Sequence, residues 1–253
     1  MMIKLTAFLL LACGALLAAT FATTAAASGA GVHLDHAPVN LHDKISLQRG
    51  AQIFVNHCLH CHSASMMRYG RLTDLGLSQD QIRDNLILSG DKLGDPMATA
   101  LNVRDGKAWF GVLPPDLSLI ARARGADWLY TYLRSFYRDP ATKSGWNNVV
   151  FPNVGMPHVL WEYQGDQAMQ VTERVDPVTG EKRETRKLVL DRPGKLTAIG
   201  YDEYVGDLVN FLVYMGEPAR ANRTQIGILV LFFLAVFFMI TLALKKEYWK
   251  DVH

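Results

Sequence analysis

Apolar residues occur along this sequence in three patterns. Leu5–Leu17 and Ile226–Leu244 are apolar runs with almost no interruption, and most of the intervening chain repeats at helical spacing. Residues 164–196 are charged and β-prone at their ends. Leu47, Ala51, Phe54, Val55 and Cys58 fall on one stripe, which predicts a helix over Ile45–Cys58. Leu129, Leu133, Phe136 and Tyr137 predict another over 126–137. Tyr201, Tyr204, Val205, Leu208, Phe211, Leu212 and Met215 give the strongest periodicity, with Asp202, Glu203 and Asp207 favouring its amino-terminal half and Gly216 and Pro218 ending it. Ser78 and Gln81 form a capping-box pattern that opens a short helix, Ile82–Ser89. Pro115 restricts Pro114 to an extended form, so GVLPPDLS (111–118) is a turn leading into a helix. Gly145–Trp161 is loop-like, and 164–196 is expected to be a surface hairpin turning at DPVTGE (176–181). The fold class is therefore mainly α.

The two apolar runs bear on where the chain works. Lys4 precedes the first run and the small residues TTAAASGA follow it, which predicts a signal peptide over 1–27 with cleavage after Ala27. Leu10-Leu11-Ala12-Cys13 resembles a lipidation site, but the run continues past Cys13, so Cys13 is expected to leave with the peptide. The second run carries no charge, and at ~1.5 Å per residue it spans about 28 Å, the thickness of a bilayer core. Bulky residues on all sides of it argue against a buried soluble helix. Lys245, Lys246 and Lys250 follow it, with Tyr248 and Trp249 at interface depth, and positive residues favour the cytoplasmic side. Arg220 and Arg223 blur that signal, while the export signal agrees with it. The expected organisation is a signal peptide (1–27), a periplasmic domain (28–220), a transmembrane helix (225–245) and a cytoplasmic tail (246–253). That describes a single-pass membrane protein whose domain faces outward.

Composition narrows the chemistry. The balance of 26 basic against 24 acidic residues excludes a general nucleic-acid binder. With Cys13 removed, Cys58 and Cys61 remain, in HCLHCHS (57–63). A structural zinc site needs four ligands. His57, His60 or His158 would have to complete it, and no H-x3-H pair stands downstream. A redox dithiol needs a βαβ context that the pattern lacks. Covalent haem attachment fits C-x-x-C-H. Two thiols three apart on a helical turn reach the two vinyl groups, and His62 turns its imidazole onto the iron. His57 and His60 are then left at solvent or at the propionate edge. His33, His36 and His42 belong to a loosely held arm over 28–43. A methionine opposite histidine raises the potential and closes the iron to substrates. Met66 and Met67 lie too near His62, Met215 is on a core stripe and Met169 opens the hairpin. Met97 and Met156, in irregular loops flanked by Gly and Pro, both remain candidates, with Met156 favoured.

An export signal, HCLHCHS, GVLPPDLSLIARARG, FPNVGMPHVL and a single carboxy-terminal span occur in that order. Together they resemble the cytochrome c1 family, the haem subunits of quinol–cytochrome c oxidoreductase (bc1) complexes, in the proteobacterial form. The resemblance runs from about Lys44 to the end. It implies a c-type cytochrome domain with insertions, among them the small β-hairpin, plus one C-terminal transmembrane helix. It implies one covalent haem c with His62 proximal and Met156 distal. Arg124 would meet a haem propionate, with Arg122 competing for that role, and Pro115 would pack on the haem. The ligand loop reads Gly-Met-Pro-His where mitochondrial relatives have Gly-Met-Ala-Pro. The extra cysteines that pair in some bacterial relatives are absent, so Met156 is expected to be held by packing alone. The implied role is a non-catalytic electron relay from the Rieske iron–sulfur protein to a soluble cytochrome c, anchored in lipid beside cytochrome b within a dimeric complex. A cytochrome feeding a terminal oxidase is the alternative, as is a sensor or enzyme with an open sixth position; PPDLS and RAR argue against the terminal-oxidase reading.

Overall fold

In the computed structural model, which describes residues 32–88, 92–175 and 182–251, the first helix starts at Asp43. Its carboxylate accepts from the backbone N–H groups of Ile45 and Ser46 at 3.1 and 3.0 Å, satisfying two donors that a helix start leaves open. This helix is α1 (Lys44–His57). The chain continues through β1 (Ala64–Arg68), a 3-10 turn (Tyr69–Leu75), α2 (Gln79–Asn85), β2 (Pro96–Met97), α3 (Val103–Phe110), α4 (Ile120–Arg124) and α5 (Ala126–Arg134). Then come β3 (Phe136–Arg138), β4 (Trp146–Asn148), α6 (Trp161–Gln164), β5 (Gly165–Val175), β6 (Lys182–Pro193), α7 (Ala198–Gly216) and α8 (Arg220–Tyr248). Among the described residues the strands pair as three antiparallel ladders, β1–β2, β3–β4 and β5–β6.

The core forms where α1 crosses α7. Leu47, Ala51 and Phe54 on α1 and Val205, Leu208 and Phe211 on α7 are all buried, and the Phe54 and Phe211 rings lie 5.7 Å apart. Gly50 makes the crossing possible, because a Cβ there would lie 2.7 Å from the Cβ of Phe211 and against the Asp207 carbonyl. Arg49 locks the crossing with a two-pronged pair to Asp207 at 2.5 and 2.9 Å.

Several expectations change. Residues 28–43 were expected to be a loose arm, yet from Asp35 onward the segment is tied down. Asp35 N–H donates to Thr131 Oγ1 (2.8 Å), Ala37 N–H donates to Asp127 Oδ1 (2.8 Å), and Arg134 pairs with Asp35 (2.6 Å). Buried Asn210 holds both the carbonyl of Asn40 (2.8 Å) and its N–H (3.1 Å). These partners lie far along the chain, out of reach of local pattern. The expected helix over 126–137 stops at Arg134, because Phe136, Tyr137 and Arg138 pair with Asn148, Asn147 and Trp146. The capping box is present, with Ser78 N–H donating to Gln81 Oε1 (2.8 Å) and Gln81 N–H donating to Ser78 Oγ (3.1 Å). It starts α2 three residues earlier than expected, and α2 ends at Asn85. Helix α3 and the β1–β2 ladder had no clear periodic signal.

The hairpin β5–β6 spans the expected range. At its base Asp166, 5 % exposed at the side chain, pairs with Arg138 (3.0 Å) and with Arg192. Helix α8 is 29 residues long with no buried residue. By length and composition it is able to cross a membrane. The expected signal peptide (1–27) and the turn at 176–181 lie outside the described residues.

Candidate functional site

Cys58 and Cys61 face one cavity because the last turn of α1 carries straight into the motif. Cys58 N–H donates to Phe54 O (2.9 Å), and the N–H groups of Cys61 and His62 both donate to Cys58 O (3.1 and 2.8 Å). The cavity is about 330 Å³ and its wall is mainly apolar. Cys58, Cys61, His62, Pro115, Arg124 and Met156 all line it, so the six sequence-predicted residues, spread over almost 100 positions, meet at one place. Burial pushes the Cys58 thiol up to about 12 and raises Cys61 as well. A redox-active thiolate needs the opposite shift.

The imidazole of His62 is oriented by the loop that carries PPDLS. Its Nδ1 lies 2.7 Å from the Pro115 carbonyl oxygen, which can only accept, so Nδ1 carries the proton and Nε2 keeps a free lone pair. Burial lowers the His62 pKa against the Pro115 hydrogen bond and the Asp116 charge, which leaves the ring neutral. The loop is stitched to the strand after the motif. Asp116 accepts from the N–H groups of Ser65 (2.9 Å) and Ser118 (2.8 Å), Ser118 Oγ accepts from Met66 N–H (3.0 Å), and Leu117 N–H donates to Ser63 O (2.8 Å). Pro115 thus acts through its carbonyl as well as lining the cavity.

Met156 arrives on a loop that starts from two asparagines. Asn148 Oδ1 accepts from the N–H groups of Val150 (2.9 Å) and Phe151 (3.1 Å), and Asn147 Oδ1 accepts from that of Asn153 (2.8 Å). Gly155 passes close to α3, and a Cβ there would lie 3.0 Å from Phe110 O. The Met156 sulfur accepts from the Tyr132 hydroxyl at 3.3 Å. The expectation that packing alone holds Met156 is therefore corrected: a hydrogen-bond network does so too. The other candidates lie elsewhere. Met97 is fully buried in β2 opposite Ala64, Met66 is 73 % exposed, Met67 and Met215 are core residues, and Met169 is in β5.

The Arg124 guanidinium lies 5.0 Å from the Trp128 ring and 5.8 Å from the Phe151 ring. Arg122 packs near Gly216 and is not part of the lining. His57 lines the cavity, set edge-on to Tyr163 at 5.3 Å, while His60 is exposed. His158 is buried, stacked on Phe136 at 4.9 Å, and burial lowers its pKa to about 4. Sequence reasoning missed Asn147, Asn148, Tyr132 and Asp116. The Asn-Asn pair at the head of a Pro/Gly loop was a signal, since Asn side chains cap turns. Tyr132 carried none. Two neutral thiols on one turn, an imidazole with a free Nε2 and a thioether around an apolar cavity fit a haem c.

Comparison with known proteins bears on the same residues. The Cytochrome C1 family model matches residues 35–87, which include the C-x-x-C-H motif, and residues 197–252, which include the whole of α7 and α8. The cytochrome c1 of Allochromatium vinosum is 47 % identical over 98 % of this chain and 98 % of its own. The chain belongs to the cytochrome c1 family. It is an electron-transfer haem subunit and carries one covalently bound haem c. A protein of Nitrosomonas europaea named as an ammonia monooxygenase gamma subunit is 52 % identical over 97 % of this chain and 98 % of its own. The mitochondrial cytochrome c1 haem protein of Saccharomyces cerevisiae is 24 % identical over 85 % of this chain and 70 % of its own. The family model leaves out 88–196, where Pro115, Arg124 and Met156 stand, whereas the Allochromatium relative spans that stretch.

Proposed function

We propose that this cytochrome c1 works in a quinol–cytochrome c oxidoreductase beside cytochrome b, taking electrons from the Rieske iron–sulfur protein and handing them to a soluble cytochrome c, in a dimeric assembly. Cys58 and Cys61 would hold the haem c covalently through their sulfurs, His62 and Met156 would supply the nitrogen and sulfur that bind its iron, and Arg124 would pair with one of its carboxylates. Haem c supplies a one-electron couple. The chain's own residues would orient and surround it: Pro115 sets the His62 tautomer, and the cavity wall presents a mainly apolar surface. Residues 1–27 direct export, 28–220 form the haem domain in the periplasm, 225–245 span the inner membrane and 246–253 face the cytoplasm. The observation that carries the reading is that Cys58, Cys61, His62 and Met156 line one cavity while the Pro115 carbonyl takes up His62 Nδ1 and leaves Nε2 free.

The relative named as an ammonia monooxygenase gamma subunit favours a second reading, in which the same haem domain stands beside a membrane oxygenase. Extraction of native membranes in mild detergent, followed by isolation through a tag on this chain, separates the two. Cytochrome b and a Rieske protein recovered with the haem is the expected result. Oxygenase polypeptides in their place would replace the first reading with the second.

A further inference from the structure

We infer that Tyr132 is a positioning residue for the Met156 thioether, and that its hydroxyl raises the reduction potential of the haem by hydrogen bonding to the sulfur. The inference rests on the reading of Met156 as an axial ligand. Tyr132 grips the ligand loop twice. At the loop's start its carbonyl accepts from Asn148 Nδ2 at 2.7 Å, and Asn148 in turn holds the N–H groups of Val150 and Phe151. At the loop's end its hydroxyl donates to Met156 Sδ at 3.3 Å. The ring has little freedom to leave. It stacks on Trp128 at 4.8 Å, nearly parallel, and meets Phe136 edge-on at 5.0 Å.

A thioether sulfur has two lone pairs, and one is enough for a metal. A donor on the other draws electron density away from the sulfur. The loss is felt more by an oxidised iron than by a reduced one, so the reduced state gains. Hydrogen bonding around a ligand is a recognised lever on potential. Thioethers are weak acceptors, so an O–H aimed at one in a cavity wall is an uncommon use of a buried tyrosine.

The test is Tyr132→Phe in the full-length, membrane-extracted protein, which keeps the ring stack and removes only the hydroxyl. The expected result is a lower midpoint potential and a shifted near-infrared ferric sulfur-to-iron band, with haem content and melting temperature as in the parent. An unchanged potential and an unshifted band would overturn the inference. Wild-type resonance Raman spectra in H2O and D2O give a readout that needs no variant: the iron–sulfur mode should respond to deuteration, and an insensitive mode would count against the bond. Met156→Ala, measured in parallel, tells the two failures apart. If the band survives in Met156→Ala, the ligand reading itself falls. If it vanishes there while Tyr132→Phe changes nothing, only the role of Tyr132 falls.

Discussion

Asp116 shows how one side chain in PPDLS supports the C-x-x-C-H motif. Burial pushes its carboxyl up, but hydrogen bonds from Ser118 and Ser65 outweigh that and hold it below its ordinary value. A carboxyl with a depressed folded-state pKa adds stability that is present above its unfolded value, about 3.9, and lost as pH falls through the folded value. Acid below about pH 4 should therefore loosen the staple between the His62-orienting loop and β1. Asp116→Asn is expected to cost about 1 kcal/mol at pH 7, at the low end for a charged hydrogen-bond group because the side chain is largely exposed. It should also remove this residue's share of the acid sensitivity. Denaturant melts of parent and variant at pH 7 and in acid give both numbers, and equal stabilities at pH 7 would refute the staple. The same residue-level logic explains the choice among methionines: Met97 has a suitable loop sequence, but its side chain fills the core opposite Ala64.

At the scale of elements, α1 is both a core helix and the carrier of the C-x-x-C-H motif. Its stripe was legible because Leu47, Ala51 and Phe54 all bury against one partner, α7. The closeness of that crossing was not legible, because Gly50 has no side chain to enter a hydrophobic pattern. Gly50→Val would drive two methyl groups into α7, and the expected cost is about 3 kcal/mol, the upper end for overpacking. Cys58 follows the helix directly, so the shift should reach the thiols and lower the haem-loaded yield. Haem-stained gels and denaturant melts test this, and a fully loaded variant of parental stability would show that the crossing tolerates a side chain. The early end of α5 teaches the converse. Phe136 and Tyr137 continue the helical stripe, yet pairing with β4, some ten residues later, recruits them into β3.

At the scale of the whole molecule, the membrane helix and the haem domain are built on different principles. No residue of α8 is buried, and at ~1.5 Å per residue its 29 residues extend about 43 Å, more than a bilayer core requires. A chain ending at Ala219 should therefore keep the haem domain's melting temperature and visible spectrum while becoming soluble without detergent. Ultracentrifugation after cell lysis, followed by a spectrum of the supernatant, checks this. A colourless or aggregated supernatant would mean that α8 supports the domain.

The sequence alone determined what is contiguous: the C-x-x-C-H turn, the apolar run that becomes α8, the capping box at Ser78 and the hairpin over 165–193. The first three depend on neighbours a few residues away, whose chemistry is printed side by side, and the hairpin on two β-prone flanks that meet around a local turn signal. Tertiary structure decided whatever needed a distant partner. It brought Met156 rather than Met97 to the cavity, set the proton on His62 Nδ1 by a carbonyl 53 residues away, and tied Asp35 to Arg134. It also placed the Tyr132 hydroxyl on a sulfur 24 residues further on. Local pattern reports which face of an element is apolar. Which polar atom on another element meets that face follows only once the chain has closed on itself.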